Sequence, residues 1–259
     1  LRGLYNAAGS MLVNQVKMEN ISNNLSNLNT PGYKRDEVVQ RTFPEILLYR
    51  TEQSRPGAGF YGPYGNLHGP IGIAAENVAV EEIPTMHIPG GLRTTGRDLD
   101  FALQDEGFFV VETEDGLRYT RDGHFHLSED GMLVNSRGFP VMGEDGPVML
   151  ESENPYVDRE GNIFEGEEHV DTLQVVAFDE DTPLWKEGNN HFEVEEGFEP
   201  DLVEQPEVFQ GVLEESNADL SRQMTDMLKV RRTYEAAQKV SQVYDTMLSR
   251  AANELGTLS

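Results

Sequence analysis

The stretch NISNNLSNLNTPGYK, residues 20–34, places Asn20, Asn23, Asn24, Asn27 and Asn29 within ten positions. Inside a helix an Asn costs up to ~0.7 kcal/mol relative to Ala, because its amide competes with the backbone for hydrogen bonds. Yet Leu4, Ala7, Met11, Asn14, Met18, Ile21, Leu25 and Leu28 step by alternating threes and fours, the seam of a helix that packs lengthwise on another. The pattern asks for a helix and the composition weakens it. Pro31 disfavours helical geometry in the residue before it and Gly32 permits a sharp turn, so the helix should stop at Asn29 or Thr30.

A second seam lies at the other end. From Val212 to Leu255 there is neither Pro nor Gly, a helix-compatible stretch of ~65 Å at 1.5 Å per residue. On it Leu213, Leu220, Met227, Val230, Tyr234, Ala237, Tyr244, Leu248, Ala251, Leu255 and Leu258 keep one register, broken only at Ser216, Gln223 and Ser241. Each end would bury its seam by meeting the other. The expected fold is therefore α+β: N- and C-terminal helices paired as an antiparallel coiled coil, with a mainly-β domain inserted between them. The division expected is 1–32 plus 212–259 for the coiled coil, 33–76 for an extended linker or wrapping arm, and 77–211 for the all-β domain.

The arm is read from SRPGAGFYGPYGNLHGPIG, residues 54–72, rich in Gly, Pro and aromatics and without helical or strand period. Beyond Asn77 the period becomes two. Val78 and Val80, Phe108 to Val111, Tyr119, Phe125 and Leu127, Met132 and Val134, Val175 and Ala177, and Phe192 and Val194 predict short strands. Asp115-Gly116, Asp122-Gly123, Asp130-Gly131 and Asp145-Gly146 are dipeptides that tight hairpin turns favour.

A chain of 259 residues with 37% hydrophobic composition can bury a substantial core. It has no Cys, which excludes disulfides, thiolate metal sites and a cysteine nucleophile. It holds no run of eighteen apolar residues, so no membrane insertion is expected, and its first thirty residues lack the organisation of a cleaved signal peptide. The net charge of −26 argues strongly against a nucleic-acid partner, since phosphate binding needs clustered Lys and Arg. Residues 51–212 carry that charge, with eight Lys/Arg against thirty-five Asp/Glu, while both ends are nearly neutral. Neutral ends can pack against copies of themselves, and an acidic middle belongs at the solvent face. His124 and His126 lie two apart on a predicted strand without an evident third ligand, and the Asp-Gly turns lack the alternating acids and distal Glu of a calcium loop. No GxSxG, GxxxxGK[ST] or HExxH occurs. Neither an enzyme nor a cofactor is indicated.

The segment LYNAAGSMLVNQVKMENISNNLSNLNTPGYKRDEV resembles the N-terminal signature of bacterial flagellar rod and hook proteins, carried here by Ser22, Asn23, Asn24, Leu25, Asn27, Asn29, Thr30, Gly32, Tyr33 and Lys34. GVLEESNADLSRQMTDMLKVRRTYEAAQKVSQ resembles the same family's closing signature, with Leu213, Glu214, Ser216, Asn217, Asp219, Met224, Arg232, Tyr234, Glu235, Ala236 and Lys239 in place. TGRDLDFALQDEGFFVV and RYTRDGHFHLSEDGMLVNSRGFPVMG are similar to the β domain of rod proteins of the FlgF and FlgG type, and RTFPEILLYR resembles the Gram-positive FlhO branch.

The resemblance implies a structural subunit of the basal-body rod, exported through the flagellar type III apparatus without a cleaved signal. It implies assembly with itself and with other rod and hook subunits into a helical drive shaft. The assembly interface expected is Leu4, Met11, Met18, Ile21, Asn23, Asn24, Leu25, Asn27 and Leu28 with Leu213, Leu220, Met227, Tyr234, Tyr244 and Leu248. In it the asparagines would bond to neighbouring helices. A non-flagellar surface or adhesive protein, oligomerised by its coiled coil and displaying an acidic β domain, would account for the same two seams.

Overall fold

The computed structural model describes residues 2–42, 46–51, 67–74, 78–104, 106–152, 154–179, 182–188, 190–195, 197–198 and 200–256. The chain divides into two compact units: Leu1–Ser22, Glu37–Pro84 and Met224–Ser259 form the first, Asn23–Asp36 and Thr85–Gln223 the second. Both N- and C-terminal segments contribute to each unit.

The first unit takes most of helix α1 (Arg2–Ser26) and of helix α2 (Leu220–Gly256), with strands β1 (Val39–Thr42), β2 (Ile46–Thr51), β3 (Leu67–Ala74) and β4 (Val78–Glu82). β1 pairs with β4 and β2 with β3, both antiparallel. Residues 33–76, expected as an arm, thus contain paired strands; the irregular composition of 54–72 hid them, and residues 52–66 of that stretch lie outside the described residues.

The apolar seam of α1 is covered as the spacing predicts. Ala7, Asn14 and Ile21 are buried and Leu4, Met11 and Met18 half-buried, with Tyr5 and Leu12 exposed on the other side. On α2 the covered line runs through Met227, Val230, Tyr234, Ala237, Ser241 and Tyr244. A side chain on Gly3 would strike the Tyr244 phenol. Farther along, Ser10, Val13 and Asn14 of α1 and Lys229, Val230 and Thr233 of α2 line one groove of about 420 Å³.

Among the described residues the second unit holds fifteen strands: β5 (Leu92–Thr94), β6 (Phe101–Leu103), β7 (Phe108–Thr113), β8 (Gly116–Thr120), β9 (Phe125–Leu127), β10 (Leu133–Asn135), β11 (Tyr156–Val157), β12 (Asn162–Glu165), β13 (Glu168–Thr172), β14 (Val175–Ala177), β15 (Leu184–Lys186), β16 (His191–Val194), β17 (Asp201–Leu202), β18 (Val208–Gln210) and β19 (Val212–Glu214). Its largest sheet has the order β15-β16-β8-β7-β14-β17. The run Phe108-Phe109-Val110-Val111 on β7 is buried on both faces. Phe109 and Val111 pack with Phe101, Phe125, Leu133 and Val141, and Phe108 and Val110 pack with Tyr119, Val176 and Phe192. Successive strand residues point to opposite faces, so an unbroken apolar run signals burial on both.

Three of the four Asp-Gly dipeptides form turns with Gly at positive φ: Gly116 between β7 and β8, Gly131 between β9 and β10, and Gly146. Asp122-Gly123 does not. The Gly123 carbonyl accepts the Phe101 amide at 3.0 Å, and a Cβ on Gly123 would collide with the Phe101 carbonyl. Glycine is needed there for close approach rather than for a turn.

Both helix boundaries shift inward from expectation. α1 ends at Ser26 and the chain leaves through tight turns, with the Asn27 side-chain Nδ2 donating back to the Asn23 carbonyl at 3.0 Å. α2 starts at Leu220, not Val212, because Val212–Glu214 pairs with β5 as β19. Asp219 caps the helix, its carboxylate accepting the Arg222 amide at 2.6 Å.

Candidate assembly site: the junction of the terminal motifs

The second unit brings the NTPGYK loop after α1 against the LEESN segment before α2. Asn24 is the hinge of the first. It is 2% exposed; its Oδ1 accepts the Tyr33 hydroxyl and the Asp36 amide, each at 3.0 Å, and its Nδ2 donates to the Asp36 carbonyl at 2.8 Å. An Asn supplies donor and acceptor in one plane and so closes the loop. Gly32 sits at φ 63, where its amide donates to the Glu214 carbonyl at 2.8 Å and a Cβ would strike the Arg121 carbonyl. Conformation and space both demand glycine.

Two cations and a backbone amide converge on Glu214. The buried Lys34 ammonium donates to its Oε1 at 2.5 Å, the Gly90 amide to the same oxygen at 2.8 Å, and Arg121 Nη1 to its Oε2 at 3.5 Å. Lys34 also donates to the Ile88 carbonyl at 3.1 Å. Burial pulls the Lys34 pKa down while the Glu214 carboxylate pushes it back up. Asn217 completes the tie: its Oδ1 accepts the Arg35 amide at 2.7 Å, and its Nδ2 donates to the Met86 and Ile88 carbonyls at 2.7 and 3.0 Å.

Lys186 covers the outer side. Its ammonium lies 3.9 Å from the Tyr33 ring centroid and donates to the Lys34 carbonyl at 2.7 Å and to Asp36 at 3.2 Å. Burial lifts the Tyr33 hydroxyl to about 12. These groups bond the two motifs to each other and to the sheet. The arrangement fastens chain segments.

The residues expected at an assembly interface fall into three classes. Leu213, Asn24 and Ile21 are buried inside the subunit. Leu4, Met11, Met18, Leu25, Asn27, Leu28, Met227, Tyr234 and Tyr244 are half-buried. Asn23, Leu220 and Leu248 are exposed. Asn24, expected to bond to a neighbouring helix, bonds to Tyr33 and Asp36 of its own loop. Arg121, Lys186 and Asn190 escaped notice because nothing in their local sequence marks them. His124 Nδ1 lies 2.8 Å from Asp100 Oδ1, and among the described residues no group of three His, Asp or Glu side chains could hold a metal ion.

Three family models match the chain in order: flagella basal body rod protein over residues 4–34, flagellar hook protein FlgE/F/G D1 domain over 102–166, and flagellar basal body rod FlgEFG protein C-terminal over 210–255. The chain is 32% identical over 278 aligned residues to the flagellar hook-basal body complex protein FlhO of Bacillus subtilis, covering all of both chains. The chain belongs to the flagellar basal-body rod family. It is also 28% identical to the rod protein FlgG of Bacillus subtilis, over 98% of both chains, and 26% identical to the rod protein FlgF of Caulobacter vibrioides, over 99% of this chain and 98% of that one. The first and last matched segments contain the halves of the Lys34–Glu214 junction, so the rod-family signatures meet in space at a buried ion pair. Among the described residues no helix is long and apolar enough to cross a membrane.

Proposed function

We infer that the protein is a structural subunit of the flagellar basal-body rod, resident in the basal body, and that it polymerises with itself and with other rod and hook subunits. The observation that carries this reading is the junction itself, at which two motifs shared with rod proteins are fastened to each other across 180 positions. A head-to-tail contact between such subunits repeats without closing and builds a filament.

Within the subunit, α1 and α2 act as an antiparallel coiled coil. The contact of Gly3 with Tyr244 and the groove shared by Ser10, Val13 and Asn14 with Val230 and Thr233 support this, since low numbers on α1 meet high numbers on α2 first and lower ones later. The exposed Leu220 and Leu248, with the half-buried seam, supply apolar surface for neighbouring subunits. The subunit reaches the rod as a client of the flagellar type III export apparatus. The weak helix propensity of the Asn-rich stretch favours an unfolded chain before export.

Disruption of the gene in its own bacterium, scored by swimming and by electron microscopy of isolated basal bodies, tests the reading. Loss of swimming with absent or truncated rods, restored by the full chain, is the expected result. Normal flagella would transfer the chain to the surface-oligomer reading.

A further inference from the structure

Three rings stand in a row on one face of the small sheet β11-β12-β13. Tyr156 lies opposite Phe164, and Phe164 opposite His169, in the strand register. Their centroids are 6.1 and 5.4 Å apart, with Tyr156 tilted 37° to Phe164 and His169 at 72° to it. Val157 and Ile163, their neighbours along the strands, point the other way into the core, so the rings occupy the outer face. Tyr156 is 62% exposed there. His169 reaches that face through a bulge. Ile163 pairs with Asp171 and the next residue, Phe164, with His169, which leaves Val170 as the extra residue, packed against the core beside the buried Asp171. In a regular ladder position 169 would point inward with 171. A bulge re-aims side chains, and this one completes the row.

The face is free of carboxylates in an acidic unit. Residues 51–212 hold thirty-five acids against eight bases, yet the outward residues of these three strands are Tyr156, Asn162, Phe164, His169 and Thr172. Glu165, Glu168 and Asp171 belong to the other side. At the edge, the Asp158 carboxylate is held by the Glu160 and Asn162 amides and by Asn162 Nδ2. A cation meets no carboxylate among the outward residues, and an anion is repelled by the unit as a whole. The polar groups form a directed chain. Thr172 Oγ1 donates to Asn162 Oδ1 at 2.9 Å, so in its contact with His169 Nε2 at 3.2 Å the imidazole donates. A neutral His169 then keeps its lone pair on Nδ1, an acceptor at the end of the row. Pyranoses carry no charge, present an apolar C–H face that stacks on aromatic rings, and donate hydrogen bonds from their hydroxyls. The spacing of the three rings is close to that of successive sugars in a linear glycan.

We propose that the outer face of β11-β12-β13 binds a neutral oligosaccharide, with a pyranose stacked on Tyr156 and Phe164 and a hydroxyl donating to His169 Nδ1. This binding goes beyond the rod-subunit role and uses no residue of the terminal-motif junction.

Cellotetraose and chitotetraose are the probes, each mixed with the purified full chain and followed by saturation-transfer NMR. Transfer to at least one of them is expected, strongest at the C–H groups of one ring face. Tyr156→Ala should weaken the affinity at least about tenfold while melting as wild type does, since the side chain is mostly exposed. His169→Phe keeps a ring but removes the acceptor, and should weaken binding as well. Trp185→Ala, at an exposed aromatic of the six-stranded sheet, should leave it unchanged. Absence of transfer to both sugars at millimolar concentration overturns the proposal, as does equal affinity in wild type and Tyr156→Ala. Sedimentation over a range of concentrations covers the rival occupant. Self-association that Tyr156→Ala abolishes, without sugar binding by the wild type, assigns the face to a contact between copies and overturns the proposal too.

Discussion

Lys34 and Glu214, 180 positions apart, bury their opposite charges against each other with side chains 1% exposed, and Arg121 shares the same carboxylate. Such a pair adds little net stability, because desolvation offsets its Coulomb attraction, but removing one member strands the others. Glu214→Ala leaves two buried cations facing each other and should cost ~3–5 kcal/mol. Lys34→Met leaves the carboxylate with Arg121 and the Gly90 amide, and should cost less. Urea unfolding of both variants of the full chain checks the order; an equal or reversed order would mean that Arg121 contributes nothing to the junction.

The two asparagines at 23 and 24 should part company. Asn24→Ala orphans the Tyr33 hydroxyl and the Asp36 amide in a buried loop, a loss of ~1–3 kcal/mol. Asn23 is exposed, and Asn23→Ala should stay within about 0.5 kcal/mol. Matched denaturant melts decide this. Similar losses at both positions would contradict the assignment of Asn24 as an internal latch.

Two buried titrations oppose each other in acid. Burial raises the Asp122 carboxyl to about 6 and lowers His87 to about 4, where Lys34 and Arg121 add to the effect. Between its unfolded and folded pKa values Asp122 holds its proton in the folded state and has lost it in the unfolded one, so its effect lowers stability as pH rises towards 6. His87 does the reverse: below about 6.5 the unfolded chain takes up a proton that the folded chain refuses until about 4, so stability rises with pH across that window. The Asp122→Asn variant can still accept the His124 amide. It should gain on wild type progressively from pH 4 to 6 and keep a constant advantage of ~1–3 kcal/mol above. His87→Asn should flatten the rise from pH 4 to 6.5. Denaturant melts at four pH values read both slopes separately.

Much of this was written in local spacing. The seam of α1 is covered from Leu4 to Leu28, and on α2 even Gln223 and Ser241, which interrupt the apolar pattern, lie on the covered line. The alternation around Phe108, Tyr119, Phe125 and Phe192 marked strands because burial on a pleated sheet has period two. What spacing could not carry was pairing at long range. Val212 to Glu214 looks like the first turn of a helix until β5, almost 120 residues earlier, claims it as a strand. Asp122-Gly123 looks like the other Asp-Gly turns, and only the approach of Phe101 distinguishes it. Asn24 looks like its neighbours, since which of several adjacent amides points inward depends on the helix phase relative to a loop that folds back from residue 33.

The pairing of the helices can be tested by two adjacent alanines. Ala237 is 9% exposed on the covered line of α2, while Ala236 is exposed beside it. A glutamate at either site leaves helix propensity nearly unchanged. Ala237→Glu, however, places a carboxylate where α1 should lie, and an unpaired buried charge is strongly destabilising, by roughly 3–5 kcal/mol. Ala236→Glu should fall within about 0.5 kcal/mol of wild type. Thermal melts followed by far-ultraviolet circular dichroism of the full chain give the comparison. A lowered helical transition in Ala237→Glu alone supports a packed antiparallel pair within the subunit. Superimposable melts for both variants would mean that α2 stands unpaired in the free subunit and finds its partner only in the polymer.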